Sequence, residues 1–317
     1  MTPTGPAAYV QVTAALRTLA LSEPWDTEGL LPSEPALMDR FQVSRGTLRR
    51  ATEELVREGL LRPDRGRGTF VQRQPQLRAH MKDALAAVAI PDSRSHLDVL
   101  RFVPDFVGSA AALERIRAMD EYATARTLFI APDNSLRGLI RSALDEGKRV
   151  VVPTYAMRRG MVLLDPASVP AEHREFAATL DGLERFGHTL TLDGLREVGS
   201  IELFITGAIA LTSGGVHIGS GDAYLDIEWG ILSTLQLVSE QTPIVAIAHP
   251  VQVVDAPLLP KPSDITVDVI VTTDQTIVTD RHYPRPTGIT WSHLDPARLD
   301  EIAYLRELQP TNTERTS

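Results

Sequence analysis

The chain has 317 residues, 43% hydrophobic and 23% charged, which is enough apolar content for two globular domains with real cores. It has no cysteine, which excludes a disulfide scaffold, a thiolate metal site and cysteine nucleophilic catalysis. The net charge of −9 is unevenly spread: residues 1–80 hold 11 Arg and no Lys against 9 acidic residues, so a weakly basic head precedes an acidic body.

The opening MTPTGPAAYV has no basic segment leading into an apolar one, and no apolar run approaches ~18 residues. A cytoplasmic protein without a membrane span is therefore expected. Tyr9 to Leu21 has a helical apolar period that Pro24 stops. In LPSE (31–34), Ser33 is a good N-cap and Pro35 is tolerated in a first turn, so Ala36, Leu37 and Phe41 give a short helix its apolar face. Ser44 can cap a second helix from Arg45 to Glu58. On it Leu48, Ala51 and Leu55 turn inward, while Arg45, Thr47, Arg49 and Arg50 project outward. Two short helices with a tight turn, the second rich in arginine, have the geometry that enters a major groove of double-stranded DNA. Gly59 ends the second helix. Short strand-like runs at 60–63 and 69–72 flank Asp64-Arg65-Gly66-Arg67-Gly68, a wing suited to phosphate or a minor groove.

Through LPSE, VSRGTLRRA (43–51), EGLL (58–61) and GRGTFV (66–71), this head resembles the DNA-binding domain of the GntR family of bacterial regulators. The resemblance implies that Arg45, Thr47 and Arg49 of the recognition helix and Arg65, Gly66 and Arg67 of the wing contact operator DNA. Many relatives have an arginine where this chain has Pro35, so one backbone contact is expected to be missing.

Residues 72–92 read as a linker running into a helix. Beyond them helical stretches (110–122, 136–146, 226–240) alternate with strand-like ones (127–130, 149–152, 201–206, 244–248, 267–271). Such alternation predicts an α/β domain with a largely parallel sheet. The fold class is thus α/β: an N-terminal winged helix-turn-helix over 1–75, a linker over 76–94, an α/β domain over 95–295 and a C-terminal tail over 296–317. In SGGVHIGSGDAYLDIEW (213–229) a strand, a glycine-rich loop and a helix would present backbone N–H groups to an anion. Gly219, Ser220, Gly221 and Tyr224 are the candidate ligand-binding residues. Asp226, with Glu228 behind it, could meet a metal accompanying a phosphate. His249 reads as a strand-end histidine, and Trp229 and Trp291 read as core.

Residues 132–153, 214–229, 242–254 and 263–273 make this domain similar to the 5-formyltetrahydrofolate cyclo-ligase family. The segments at 101–116 and 284–291 and the DIEW tetrad most resemble its divergent synthetase-domain-containing subgroup. The resemblance implies Mg-ATP-dependent ring closure of a folate. The departures bear on that: the family's two loop arginines are replaced by His217 and Ile227, and Asp222 has entered the loop. The phosphate-clamping Lys pair survives at most as Lys82 in KDALA (82–86), and the family's histidine before the last core strand is Ser263. Arginine clamps stabilise a transferring phosphoryl group, so their loss argues against efficient ATP chemistry. The leading expectation is a homodimeric, ligand-responsive regulator whose effector is a folate, a pterin-like or thiamine-related compound or a nucleotide. The alternatives are an active cyclo-ligase with a DNA-binding head, using Mg-ATP, and a regulator whose large domain is only a dimerisation scaffold.

Overall fold

The computed structural model describes residues 8–22, 29–57, 60–71, 74–91, 103–254, 260–261, 263–281 and 283–310. The chain divides into two units, Met1–Ala79 with Ala256–Lys261 and His80–Asp255 with Pro262–Ser317.

In the first unit, α1 (Ala8–Ser22), α2 (Glu34–Phe41) and α3 (Arg45–Arg57) are followed by a hairpin of β1 (Leu61–Asp64) and β2 (Gly68–Val71). Ser33 starts α2 by accepting the Ala36 N–H, and Gln42 ends it at φ +53. Ser44 then accepts the Thr47 N–H at 3.3 Å and opens α3. These two caps enforce the sharp turn, because each satisfies a donor that a helix start leaves unpaired. Leu48, Ala51 and Leu55 of α3 are buried against Val12, Leu16 and Leu19 of α1, as the helical period requires. Leu30 bridges Phe70, so the wing gains a partner beyond its own hairpin. Gly59 lies outside the described residues.

The second unit is built on an eight-stranded sheet. Its parallel centre is β3 (Thr127–Ile130), β4 (Arg149–Pro153), β7 (Leu203–Gly207), β10 (Ile244–Ile247) and β12 (Val269–Val271). Antiparallel β5 (Met161–Leu164) and β6 (His188–Thr189) finish one edge, and β13 (Thr276–Val278) the other. A small separate sheet joins β8 (Ala210–Thr212), β9 (His217–Ile218) and β11 (Val253–Val254). Strand order in the large sheet is β13-β12-β10-β7-β3-β4-β5-β6. The chain therefore enters at the centre, winds out one way through β4, and returns to continue the other way from β7. Helices cover both faces, so the strands are apolar on both sides. Leu128 and Ile130 pack with helices Ser109–Arg117 and Arg137–Asp145, whereas Phe129 faces the core shared by helices Leu192–Val198 and Tyr224–Thr234.

Three stretches differ from the sequence expectation. The helix placed at 226–240 runs from Tyr224 to Thr234, because Gln236 takes a left-handed φ of +60. Within the expected linker, Gln74–Ala86 is a helix burying Met81 and Leu85, and residues 88–90 bond to 105–107. Residues 296–310, read as tail, form two short helices that bury Ile302, Tyr304 and Leu305 in the core. The Tyr304 hydroxyl receives the Met161 N–H at 3.0 Å and donates to the Leu190 carbonyl at 2.5 Å. Residues 311–317 lie outside the described set.

The segment after β13 is tied down by Arg285, whose guanidinium is fully buried. It pairs with Asp268, donates to the carbonyls of Thr266 (3.1 Å), Glu240 (3.2 Å) and Thr242 (2.9 Å), and lies 5.1 Å from the Trp229 ring. Removing one partner of a buried ion pair leaves the other charge uncompensated. Arg285→Ala should therefore cost about 3–5 kcal/mol in urea unfolding, and Arg285→Lys should recover less than half, since an ammonium cannot reproduce the planar fork.

Candidate functional site

The exposed face of α3 carries Arg45 and Arg49. Their Nε atoms lie 3.6 Å and 2.9 Å from the same Glu34 Oε1 at the start of α2. Thr47 is half-buried between them, its hydroxyl 3.0 Å from that of Ser44. Arg50 is exposed as well, but it has a partner on α1. Its guanidinium stacks 3.8 Å over the Tyr9 ring and so packs back onto α1. In the wing Arg65, Gly66 and Arg67 are exposed, and Gly66 has φ +83 with nothing near its Cα where a side chain would sit. Arg67 lies 3.6 Å from Asp64 and 5.3 Å from the Phe70 ring. Pro35 occupies the first turn of α2.

The glycine-rich loop connects β9 of the small sheet to helix Tyr224–Thr234. Gly219, Ser220 and Gly221 precede Ala223, a left-handed N-cap at φ +57 with no side-chain cap bond. Ser220 donates to Asp222 at 3.3 Å. The residue that sequence reasoning missed is Arg298, from helix Pro296–Glu301. It meets Asp222 at 2.6 Å, the Tyr224 hydroxyl at 3.1 Å and Glu301 at 2.5 Å. The loop thus regains a guanidinium from 76 residues downstream, already bracketed by two carboxylates. Burial raises the Tyr224 phenol above its usual range. Asp226 turns to the chain itself, its Oδ1 accepting the Ile265 N–H at 2.8 Å. Among the described residues no three His, Cys, Asp or Glu side chains gather as a metal cage. The side chain of Lys82 lies outside the described set.

A second polar group sits where the strand order reverses, between β3 and β7. Open α/β sheets leave a crevice at the carboxyl ends of the strands at such a point. Asp133, just beyond β3, accepts the Gly207 N–H at the end of β7 at 2.9 Å. A Cβ on Gly207 would meet Asp133 Oδ2 and Val103 at 2.8 Å, so the close approach requires glycine. His217 Nε2 donates to the Gly207 carbonyl at 2.8 Å. His249 holds the next strand end, with Nδ1 accepting the Val251 N–H at 3.2 Å and its ring edge-on to Phe106. Burial pushes the Asp133 carboxyl up to about 6, and the residue as a whole is half-buried. Glu228, on helix Tyr224–Thr234, is buried at 5% exposure. Burial, with Asp133 and then Asp226 adding repulsion, pushes its carboxyl up to about 8.

Glu228 gives a pH dependence of known sign. Between the unfolded value near 4.5 and about 8, the folded state holds a proton that the unfolded state has lost. Its contribution therefore falls as pH rises through that window and levels off above it. Glu228→Gln should be more stable than wild type at pH 8 in chemical denaturation, with the gap closing towards pH 4.5. An equal gap at both pH values would refute the assignment.

Comparison with known proteins agrees with this two-part geometry. Residues 71–273 match the 5-formyltetrahydrofolate cyclo-ligase family, and residues 8–71 match the gntR family of bacterial regulatory proteins. A human methenyltetrahydrofolate synthase domain-containing protein is 32% identical over 210 residues, 65% of this chain and 54% of that protein. The HTH-type transcriptional repressor NagR of Bacillus subtilis is 40% identical over 65 residues, 20% of this chain and 27% of NagR. The solution structure of Aquifex aeolicus 5,10-methenyltetrahydrofolate synthetase is 16% identical, with a TM-score of 0.42 over 70% of this chain and all of that one. The chain spans only about half the length of the human relative. Among the described residues no helix is long and apolar enough to cross a membrane. The chain belongs to the 5-formyltetrahydrofolate cyclo-ligase family over residues 71–273, and a GntR-type DNA-binding domain is fused ahead of it at residues 8–71.

Proposed function

We propose that this protein is a transcription regulator that binds double-stranded operator DNA as a homodimer and senses a small ligand with its cyclo-ligase-like domain. The observation that carries the reading is the pair of exposed arginines, Arg45 and Arg49, on one face of the helix that Ser44 caps. The open Arg65-Gly66-Arg67 wing adds phosphate-binding charge to it. Glu34 takes the Nε edge of Arg49 in a hydrogen bond and sits beside that of Arg45. The terminal nitrogens of both guanidinia would then be the ones offered to the paired acceptors of a guanine edge. A dimer would place two such heads on one duplex and raise the effective concentration of the second contact.

The test uses the full chain on a duplex selected from random DNA. Arg45→Ala and Arg49→Ala should each cost about 1–3 kcal/mol on that duplex. Arg65→Ala and Arg67→Ala should weaken all sequences evenly and flatten the salt dependence. Glu34→Ala should lose affinity for the selected site while gaining it for scrambled DNA, because it frees the arginines and removes a negative charge. A wild-type chain that selects no sequence, or binds as a single chain per duplex, would overturn the proposal.

On the catalytic side, the reading is that the domain binds a folate, pterin-like, thiamine-related or nucleotide ligand without efficient turnover. A triphosphate with magnesium does not suit this loop: Arg298 is neutralised by Asp222 and Glu301, and one Asp226 oxygen is committed to Ile265. The loss of a single electrostatic donor raises a barrier by about 2.7–4 kcal/mol. With 5-formyltetrahydrofolate and Mg-ATP, formation of the methenyl product should run at least a hundredfold below an ordinary rate of ~10 per second. Turnover at that ordinary rate would make the chain an enzyme with a DNA-binding head.

A further inference from the structure

The glycine loop carries its own counter-charge, whereas the crevice between β3 and β7 does not. Among the described residues Glu228 has no hydrogen bond and no ion pair, although it is 95% shielded from solvent. Among the described residues the only hydrogen bond to the Asp133 carboxyl comes from the Gly207 N–H, on Oδ2. Ser135, two residues along, is buried with an unpartnered hydroxyl. Buried acids in folded proteins are almost always paired or hydrogen-bonded, because an unpaired one opposes folding. Among the described residues, then, a buried carboxyl without a hydrogen bond lies close enough to a second, singly bonded carboxyl for the two to repel, at the position where α/β sheets take ligands. Among the described residues no cation acts on Glu228: the charged groups that do are Asp133 and Asp226, both acidic. His217, the nearest ring, is held on the Gly207 carbonyl.

We infer that the crevice between β3 and β7 is a receptor for an organic cation with paired N–H donors, of the amidinium, guanidinium or protonated amino-heterocycle class, received by Glu228 and Asp133. This deepens the ligand-sensing reading above and rests on it only for the link to DNA. A planar cation supplies two parallel N–H groups to carboxylate oxygens, the strongest arrangement available to a buried acid. A bare divalent metal fits less well, since it needs six or more oxygen ligands and one Asp226 oxygen is occupied by the Ile265 N–H. Gly207 is required because a side chain there would push Asp133 out of place. The inference also accounts for a buried glutamate on the helix that follows the loop, which serves no packing role a leucine would not serve better.

The experiment titrates the full chain with benzamidine, with its uncharged isostere benzamide, with benzoate and with magnesium chloride, by calorimetry at pH 7.5. Benzamidine should bind at least tenfold tighter than benzamide, and benzoate should not bind. Glu228→Gln and Asp133→Asn should each lose at least tenfold for benzamidine. Loss of fold does not explain such a result in Glu228→Gln, which is expected to be the more stable protein. Equal binding of benzamidine and benzamide, tighter binding of magnesium, or unchanged affinity in Glu228→Gln would each overturn the inference. Repeating the DNA titration with saturating benzamidine separates the two readings. A shifted DNA affinity supports both, whereas binding in the crevice with unchanged DNA affinity leaves the site standing and removes its role as sensor.

Discussion

The architecture of the large domain hangs on a buried guanidinium. Arg285 ties the segment after β13 to Asp268 at the start of β12 and to the carbonyls of Glu240 and Thr242 before β10. It also lies against Trp229, whose indole N–H bonds the Pro286 carbonyl at 2.9 Å. Trp229 is the largest fully buried side chain of the domain and packs edge-on to Phe204 of β7. The same helix carries Tyr224, Asp226 and Glu228. One buried charge, made tolerable by four partners and a ring, therefore sets the position of the glycine loop's far end and of the acid in the crevice. A charge buried this deeply stabilises little compared with apolar residues of equal volume, and what it adds is a single arrangement of the elements that share it.

Much of this fold could be read from periodicity. The two-sided apolar runs at 127–130, 149–152 and 244–248 belong to a parallel sheet because helices cover both faces, and β3, β4 and β10 lie there. The caps Ser33 and Ser44 were legible because capping chemistry is local. What escaped is nonlocal. Nothing near Arg298 in Pro296-Ala-Arg-Leu marks it as a partner of Asp222, 76 residues away, and the polar end of the chain masked the short apolar set Ile302, Tyr304 and Leu305. Asp226 and Glu228 look alike in sequence as two acids one residue apart. The helix turns one to the backbone of Ile265 and buries the other at 5% exposure. Arg50 is exposed like Arg45 and Arg49, and only the position of Tyr9 on α1 decides that its guanidinium stacks on a ring.

The head shows how little charge a DNA-binding surface requires when geometry is controlled. Residues 1–80 carry a net +2, and Glu34 subtracts from the very face that would meet phosphate. An acid at that place weakens nonspecific attraction, which depends on charge alone. It orients two guanidinia, and base readout depends on orientation. On the proposed reading, a surface so arranged would trade sequence-independent affinity for discrimination.

The large domain has undergone the complementary change. In a site built to transfer phosphate, positive charge should converge on the glycine loop. Here the loop's cation arrives from outside the family's own span, beyond residue 273, and is held between two carboxylates. Among the described residues a buried acid without a hydrogen bond, Glu228, lies instead within electrostatic reach of Asp133 beside the β3–β7 pair. An arrangement selected for phosphoryl chemistry alone would hardly retain Glu228, because its burial, with repulsion from Asp133 and Asp226, disfavours the folded state across the neutral pH range. The cost is intelligible if a bound cation offsets it, since binding then favours the one state in which the crevice is formed. A ligand that stabilises one arrangement of a domain more than another is all that a regulator of this kind requires.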